Sequence, residues 1–355
     1  MKKTLVALAA LASMSAFAQS SVTLYGVADV WLGSAKTTIT GGTGAAAVGN
    51  ANNPFLLTPP TDPTTKTNGV AQTVLNSGGY NGSRWGLKGS EDLGGGLKAN
   101  FQFESGFDIS KGESQQGALF GRQAYAGLSG GFGEIRLGRQ YTAYDELRGA
   151  TANTFDSAFS PTGNVWGYNG DYSGRQNNQL YYATPDFGGI SGAVGFALGE
   201  NKTATTKATD VLSLHVKYAN GPILVGAAYQ DQKVATGGSD KYTLFAGSYD
   251  FGVVKLTGGY NTDKKAAAGT GTTKEFQLGV SLPIGAASIG AGFSAAKNST
   301  TNSKASGFGV SAIYDLSKRT SVYGGIETDK AQSTLAGDGT TVKNTLAAVG
   351  VRHKF

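Results

Sequence analysis

The chain has 355 residues, with 30 Lys and Arg against 24 Asp and Glu for a formal charge of +6, and no cysteine. The absence of cysteine excludes a disulfide scaffold, and a modest, dispersed positive balance does not indicate a nucleic-acid partner. Glycine, at 55 residues, is about twice its usual ~7% share and proline, at 8, is scarce; because each Gly inside a helix costs roughly 1 kcal/mol against Ala, this composition disfavours helices and suits many strands with tight turns.

The N-terminus reads MKKTLVALAALASMSAFAQSS: Lys2 and Lys3, an apolar run from Leu5 to Leu11, then Ala16-Phe17-Ala18 in an A-x-A pattern. It predicts a secretory signal peptide over 1–18 and a single exported domain over 19–355. No later apolar run approaches the ~18 to 20 residues of a spanning helix, so a helical membrane protein is excluded.

From VTLYGVADVWL (22–32) onward the chain alternates with period two. The clearest stretch is KANFQFESGFDIS (98–110), where Phe101, Phe103, Phe107 and Ile109 share one parity and Lys98, Asn100, Gln102, Glu104 and Asp108 the other. Alone, that strand fits either a soluble sandwich or a transmembrane barrel.

The turns decide between them. DLGGGLK, SGGFGE, PDFGGI, YANGPI, YDFGVV, LPIGAAS and DLSKRTS centre on Gly95, Gly131, Gly188, Gly221, Gly252, Gly285 and Lys318. Successive centres lie 31 to 36 residues apart, apart from 57 between Gly131 and Gly188. A spacing near 33 would also suit ankyrin repeats, but those are helical and this alternation is not.

Longer polar stretches such as NKTATTKATD and DKKAAAGTGTTK lie between the turns, and short turns opposite long loops are the asymmetry of outer-membrane barrels. With both chain ends on the short-turn side, seven turns predict an all-β, 16-stranded antiparallel transmembrane β-barrel, ending with NTLAAVGVRHKF (344–355) and the aromatic Phe355. Closure with an even strand number leaves no backbone edge unpaired in lipid. The phenylalanines of 98–110 then face lipid and its polar residues face a wet lumen; a one-residue slip would turn Lys98, Glu104 and Asp108 into lipid.

The stretches SSVTLYGVADV, NGSRWGLKGSEDLGGGLKANFQFESGFD, LFGRQAYAGLSGGFGEIRLGRQ, NNQLYYATPDFGG and VGVRHKF resemble the general-diffusion porins of Gram-negative bacteria, the beta-proteobacterial type. The resemblance implies a homotrimer in the cell outer membrane, each barrel with its own pore narrowed by an inward-folded third external loop. It also implies basic wall residues facing acids of that loop, and passive diffusion of small hydrophilic solutes and ions. By motif, the wall arginines fall on Arg84, Arg122 and Arg139.

Parity adds to this. Arg84 and Lys88 oppose Trp85 and Leu87 and so point inward, and Arg122 opposes Tyr125 and is read as inward too. Strict alternation turns Arg136 inward and Arg139 outward unless a bulge near Gly138 reverses the phase; the resemblance favours the bulge. Guanidinium groups on one wall of a narrow pore raise local anion concentration, which predicts weak anion preference.

The segment LRGATANTFDSAFSPTGNVWGYNGDYSGRQ is long for a loop, and its Phe155, Phe159, Trp166, Tyr168 and Tyr172 predict packing against the barrel. Asp145, Glu146, Asp156 and Asp171 are its acids, with Glu146 and Asp156 the candidates to line the constriction. Tyr25, Trp31, Tyr125, Tyr229, Tyr249 and Tyr260 are candidates for interfacial girdles, lumen lining being the alternative for each. The first loop, Ala35 to Tyr80, is long and poor in charge.

No catalytic, cofactor or metal site is predicted. His215 shares the lumen parity with Ser213 and Lys217 but has no nearby acid to orient it, His353 points outward, and two separated histidines without cysteine offer no transition-metal set. GTGTTK (269–274) lacks P-loop spacing. Two alternatives to a general channel remain: an adhesin or receptor barrel without a useful pore, and a sugar-specific channel whose loop aromatics form a stacking path.

Overall fold

In the computed structural model, which describes residues 21–40, 70–151, 158–167, 172–332 and 341–355, the period-two segments become strands of one closed sheet. In chain order these are β1 (Ser21–Thr40), β2 (Gln72–Ser77), β3 (Arg84–Gly94), β4 (Leu97–Asp108), β5 (Glu113–Ser114), β6 (Gln123–Gly130) and β7 (Gly133–Tyr141). Two helices follow, α1 (Ala143–Thr151) and α2 (Pro161–Val165). The remaining strands are β8 (Arg175–Ala183), β9 (Ile190–Ala197), β10 (Val211–Asn220), β11 (Ile223–Lys233), β12 (Ser239–Asp250), β13 (Lys255–Lys264), β14 (Thr272–Ile284), β15 (Ala287–Asn298), β16 (Lys304–Asp315), β17 (Thr320–Gln332) and β18 (Thr341–Lys354).

These segments form a 16-stranded antiparallel barrel. β2 and β3 are two pieces of a single wall strand, pairing with successive stretches of β1, and β5 is a two-residue piece against the end of β4. The barrel closes where β1 meets β18, from Val27 opposite Lys354 to Thr40 opposite Thr341. Phe355 completes the seam through paired backbone bonds with Gly26 of 2.9 and 3.1 Å.

All seven predicted turns join consecutive wall strands. The first strand is longer than expected: β1 runs to Thr40 and β2 starts at Gln72, so sheet pairing claims both ends of the stretch read as a free first loop. Residues 41–69 of that loop, and the predicted signal peptide, lie outside the described residues.

Alternation sorts the two faces. On β14, Lys274, Phe276 and Leu278 point outward while Glu275 and Gln277 point inward and are almost fully buried. Burial on the inner side has a cause: the two helices between β7 and β8 lie inside the barrel, α1 packing on β10, β11 and β12, and α2 on β15, β16 and β17. No helix among the described residues is long and apolar enough to cross a membrane; the crossing elements are strands.

Candidate functional site

The inner surface divides into a basic wall and a covered wall. The basic wall is built by β3, β4, β6, β7 and β8. Arg122 donates from Nε to Glu104 Oε1 at 2.7 Å and from Nη2 to the Tyr141 hydroxyl at 3.0 Å. Arg84 Nε lies 3.7 Å from the other oxygen of Glu104, which also accepts the Tyr25 hydroxyl at 2.9 Å. Lys88 stands 5.3 Å above the Tyr25 ring. Gln102 donates to Tyr25 and accepts from Tyr125, extending the hydrogen-bonded row round the wall.

Arg139 continues the ladder. A register shift between Gly138 and Gln140 marks a bulge in the β7–β8 pairing, and Gly138 has φ 134°, where a side chain would also overlap the Ala124 carbonyl. The expected bulge is therefore present. Arg139 donates to the Gly121 carbonyl at 2.8 Å and to Asn177 Oδ1 at 2.7 Å. Arg175, which the motif reading did not single out, donates to the Tyr141 hydroxyl and stacks 4.1 Å from its ring. Among the described residues, Glu104 is the carboxylate within 4.0 Å of Arg84 and Arg122, while Arg136 on the same wall pairs with Glu134 at 3.7 Å and Glu146 at 3.0 Å.

The covered wall, β10 to β17, carries small inward residues beside polar ones such as Asn261, Glu275 and Gln277, and the described residues of the third loop lie on both. Leu147, Val165, Trp166 and Tyr172 pack with Ala228, Ala296, Ala305 and Ala331. At Gly309 a methyl group would overlap the Phe159 carbonyl, so only glycine admits the loop there. Polar pegs fix the register. The Ala143 amide donates to Ser213 Oγ at 3.1 Å and its carbonyl meets His215 Nδ1 at 2.7 Å. Tyr144 donates to Asn261 at 2.7 Å, Gln277 Nε2 to the Thr151 carbonyl at 3.0 Å, and the Gly167 amide to Glu275 at 2.7 Å.

The loop tip is held by a second, unpredicted anchor. Asp29, fully buried on β1, accepts the amides of Gly79 (2.9 Å), Tyr80 (3.1 Å) and Asn81 (2.8 Å) and the Tyr323 hydroxyl (2.5 Å). This capture breaks the second wall strand into β2 and β3, and the freed Gly79 carbonyl accepts the Ala158 amide at 3.0 Å. A lone acid in the run VADVW carries no sequence signal for this beyond its inward parity.

The predicted residues fall as follows. Arg84, Lys88, Arg122 and Arg139 all come together on the basic wall. The reason given for Arg122 fails, because Tyr125 also points inward; Arg122 precedes β6 and curls in from the loop to reach Glu104. Glu146 pairs with Arg136 at 3.0 Å and accepts the Tyr181 hydroxyl, tying α1 to the wall beside it. Asp156, Asp171, Phe155 and Tyr168 lie outside the described residues. Phe159, Trp166 and Tyr172 pack as expected, and because they are buried under the loop they offer no exposed stacking path for sugar rings.

Among the girdle candidates, Tyr229, Tyr249 and Tyr260 face outward, whereas Tyr25 and Tyr125 hydrogen-bond inside and Trp31 is buried beneath the loop tip against Phe159 and Tyr323. His215 is a peg for α1, and His353 is exposed against Thr320.

Comparison with known proteins agrees with this geometry. The chain matches the Gram-negative porin family over residues 4–334. It is 34% identical to outer membrane porin protein 32 of Delftia acidovorans and 32% identical to an outer membrane porin of Bordetella pertussis, each alignment covering the full length of both chains. Among solved structures, an anion-selective porin from Comamonas acidovorans is 29% identical with a TM-score of 0.75, over 95% of this chain and 100% of that one. A Vibrio cholerae outer membrane protein, 14% identical with a TM-score of 0.63 over 95% and 99%, shares the fold. A closed sheet with a lipid-facing exterior, a charged interior and full-length likeness to channel proteins together place this chain in the Gram-negative porin family of the outer membrane, whose members are channels and not enzymes.

Proposed function

We propose that the chain forms a water-filled pore for passive diffusion of small hydrophilic solutes and ions, with a weak preference for anions. The observation that carries this reading is the row Arg84, Arg122, Arg139 and Arg175, with Lys88, gathered on one inner wall, with Glu104 pairing to two of them. In a confined pore with low-dielectric walls, such a row of fixed cations raises the local concentration of anions. The likeness to an anion-selective porin supports the same sign. Arg84, Lys88, Arg122 and Arg139 are the residues proposed to set it, and Glu146 and Asp156 the loop acids beside the constriction. Export through a cleaved signal peptide and assembly as a homotrimer complete the proposal.

Single-channel recording in a KCl gradient tests it. The expected result is a reversal potential favouring chloride, with closures in threes. A potential favouring potassium overturns the arginine reading, and a silent membrane from well-folded protein overturns the channel.

A further inference from the structure

At the loop end of the barrel, the outer face carries lysines that oppose one another across neighbouring strands. Lys241 on β12 stands opposite Lys264 on β13, and Lys330 on β17 opposite Lys343 on β18. Between them, Lys297 on β15 faces Lys274 on β14 on one side and Lys304 on β16 on the other. Residues directly opposite on one face have Cβ atoms about 4.5–5.5 Å apart, and like charges so placed destabilise a sheet. All seven are exposed, and only Lys241 has an acid within 4.0 Å, Asp231, among the described residues. The acids at this height, Asp263, Glu275 and Asp329, have inward parity on the same strands, though Asp329 also borders the recess between Lys330 and Thr328.

What the lysines overlook is an aromatic row. Phe245 is opposite Tyr260, Tyr260 opposite Phe276, and Phe293 opposite Phe308, all outward and exposed. Aromatic girdles mark the edge of the hydrocarbon region, so the lysines, two to four residues further toward the loops, stand at the height of lipid head groups. A recess of about 460 Å³ joins the two rows, lined by Lys330 and Lys343 above and Phe293 and Phe308 below, with Thr328 between.

We propose that this outward lysine belt binds the phosphate groups of outer-leaflet lipids, and that the recess holds one phosphate-bearing lipid, its phosphate between Lys330 and Lys343 and its first acyl segment over Phe293 and Phe308. The phosphate supplies the counter-charge that the opposed lysines lack in the protein itself. The inference rests on outer-membrane placement and not on the pore reading.

The test is retention of phosphatidic acid by the full-length folded protein in neutral detergent, read by native mass spectrometry with phosphatidylcholine as the uncharged-balance control. Wild type is expected to retain phosphatidic acid in preference. As each lysine near a surface contributes roughly fivefold to the attraction of an anionic lipid, Lys330→Gln with Lys343→Gln is expected to weaken retention about 25-fold. The paired arginine variant should restore it, and Phe293→Ala with Phe308→Ala should weaken retention with the lysines intact. Equal retention by the glutamine pair, equal retention of phosphatidylcholine, or full displacement by inorganic phosphate, which would make this a free-anion site, overturns the proposal. Conductance of the glutamine pair is expected to match wild type; a silent wild-type channel that still retains lipid would overturn the pore reading and leave the belt standing.

Discussion

The two inner walls of the barrel share one backbone plan and differ in what their inward side chains meet: each other on one wall, the third loop on the other. On β3 to β8 the inward residues are large and polar, and they hydrogen-bond to one another: Arg122 to Glu104 and Tyr141, Gln102 to Tyr25. On β11 to β17 small inward residues, Ala228, Ala296, Ala305, Gly309 and Ala331, stand beside polar ones such as Asn261, Glu275 and Gln277, and the described residues of the third loop pack on both. The cations gather on the first wall, whereas the inward acids of the second, Asp263, Glu275, Glu327 and Asp329, are buried. The comparison teaches that the cation row and the loop's packing surface lie on different strands, so each can be changed without touching the other.

The sharpest way to break the covered wall is Phe159→Ala. Phe159 is fully buried against Trp31, Ile313 and Tyr323, so the change is expected to cost about 3–5 kcal/mol and to free the loop tip. Thermal unfolding would show the loss, and single-channel recording a larger, noisier conductance; an unchanged Tm would show that the tip bears no load. On the basic wall, Arg122→Ser leaves Glu104 without its 2.7 Å partner while Tyr25 and Arg84 remain. Loss of a hydrogen bond to a charged group is expected to cost about 1.5–3 kcal/mol, and the reversal potential should move toward cations. No movement would remove Arg122 from the filter.

Smaller effects sharpen the same contrast. Ser213→Ala removes the acceptor for the Ala143 amide at the start of α1, at about 0.5–1.5 kcal/mol, and should raise hydrogen exchange in α1 while leaving ion preference alone. Outside both walls, Asp210 closes an external loop by accepting the Gly199 amide at 3.1 Å and pairing with Lys233 at 3.2 Å. The Gly199 amide first, then Lys233, hold its carboxyl below the usual range. A depressed carboxyl contributes stability that is complete above its unfolded pKa and lost as pH falls through the folded one. Exchange at Gly199 is thus expected to be slow at neutral pH and to quicken, relative to the intrinsic rate, in acid; a flat relative profile would show that the contact does not form in solution.

The barrel was legible because period-two alternation and Gly-centred turns are local signals, each readable within ten residues or so. Arg84 and Lys88 were placed by that same parity, and the long interval between Gly131 and Gly188 marked the third loop. What alternation misses is any residue beyond a strand's end or beside a break. Arg122 points in although its parity relative to Tyr125 predicts opposition, because it lies before β6. Asp29 was invisible as an anchor because its partners, Gly79 to Asn81 and Tyr323, are brought to it only by closure of the sheet. Trp31, read with the girdle candidates, is claimed by the loop tip in the same way.

That closure joins residues far apart in the sequence. Thr37 bonds Asn344, 307 positions away, and Phe355 pairs with Gly26, so the seam needs both β1 and β18 in place. Contacts this distant in sequence make folding slow, because the entropy of bringing the ends together is lost before any contact offsets it. The cluster bridging the seam from within joins Trp31 and Ala35 of β1 to Leu346 and Ala348 of β18 through Phe159 of the third loop. The third loop thus also buttresses, from inside, the joint at which the barrel closes.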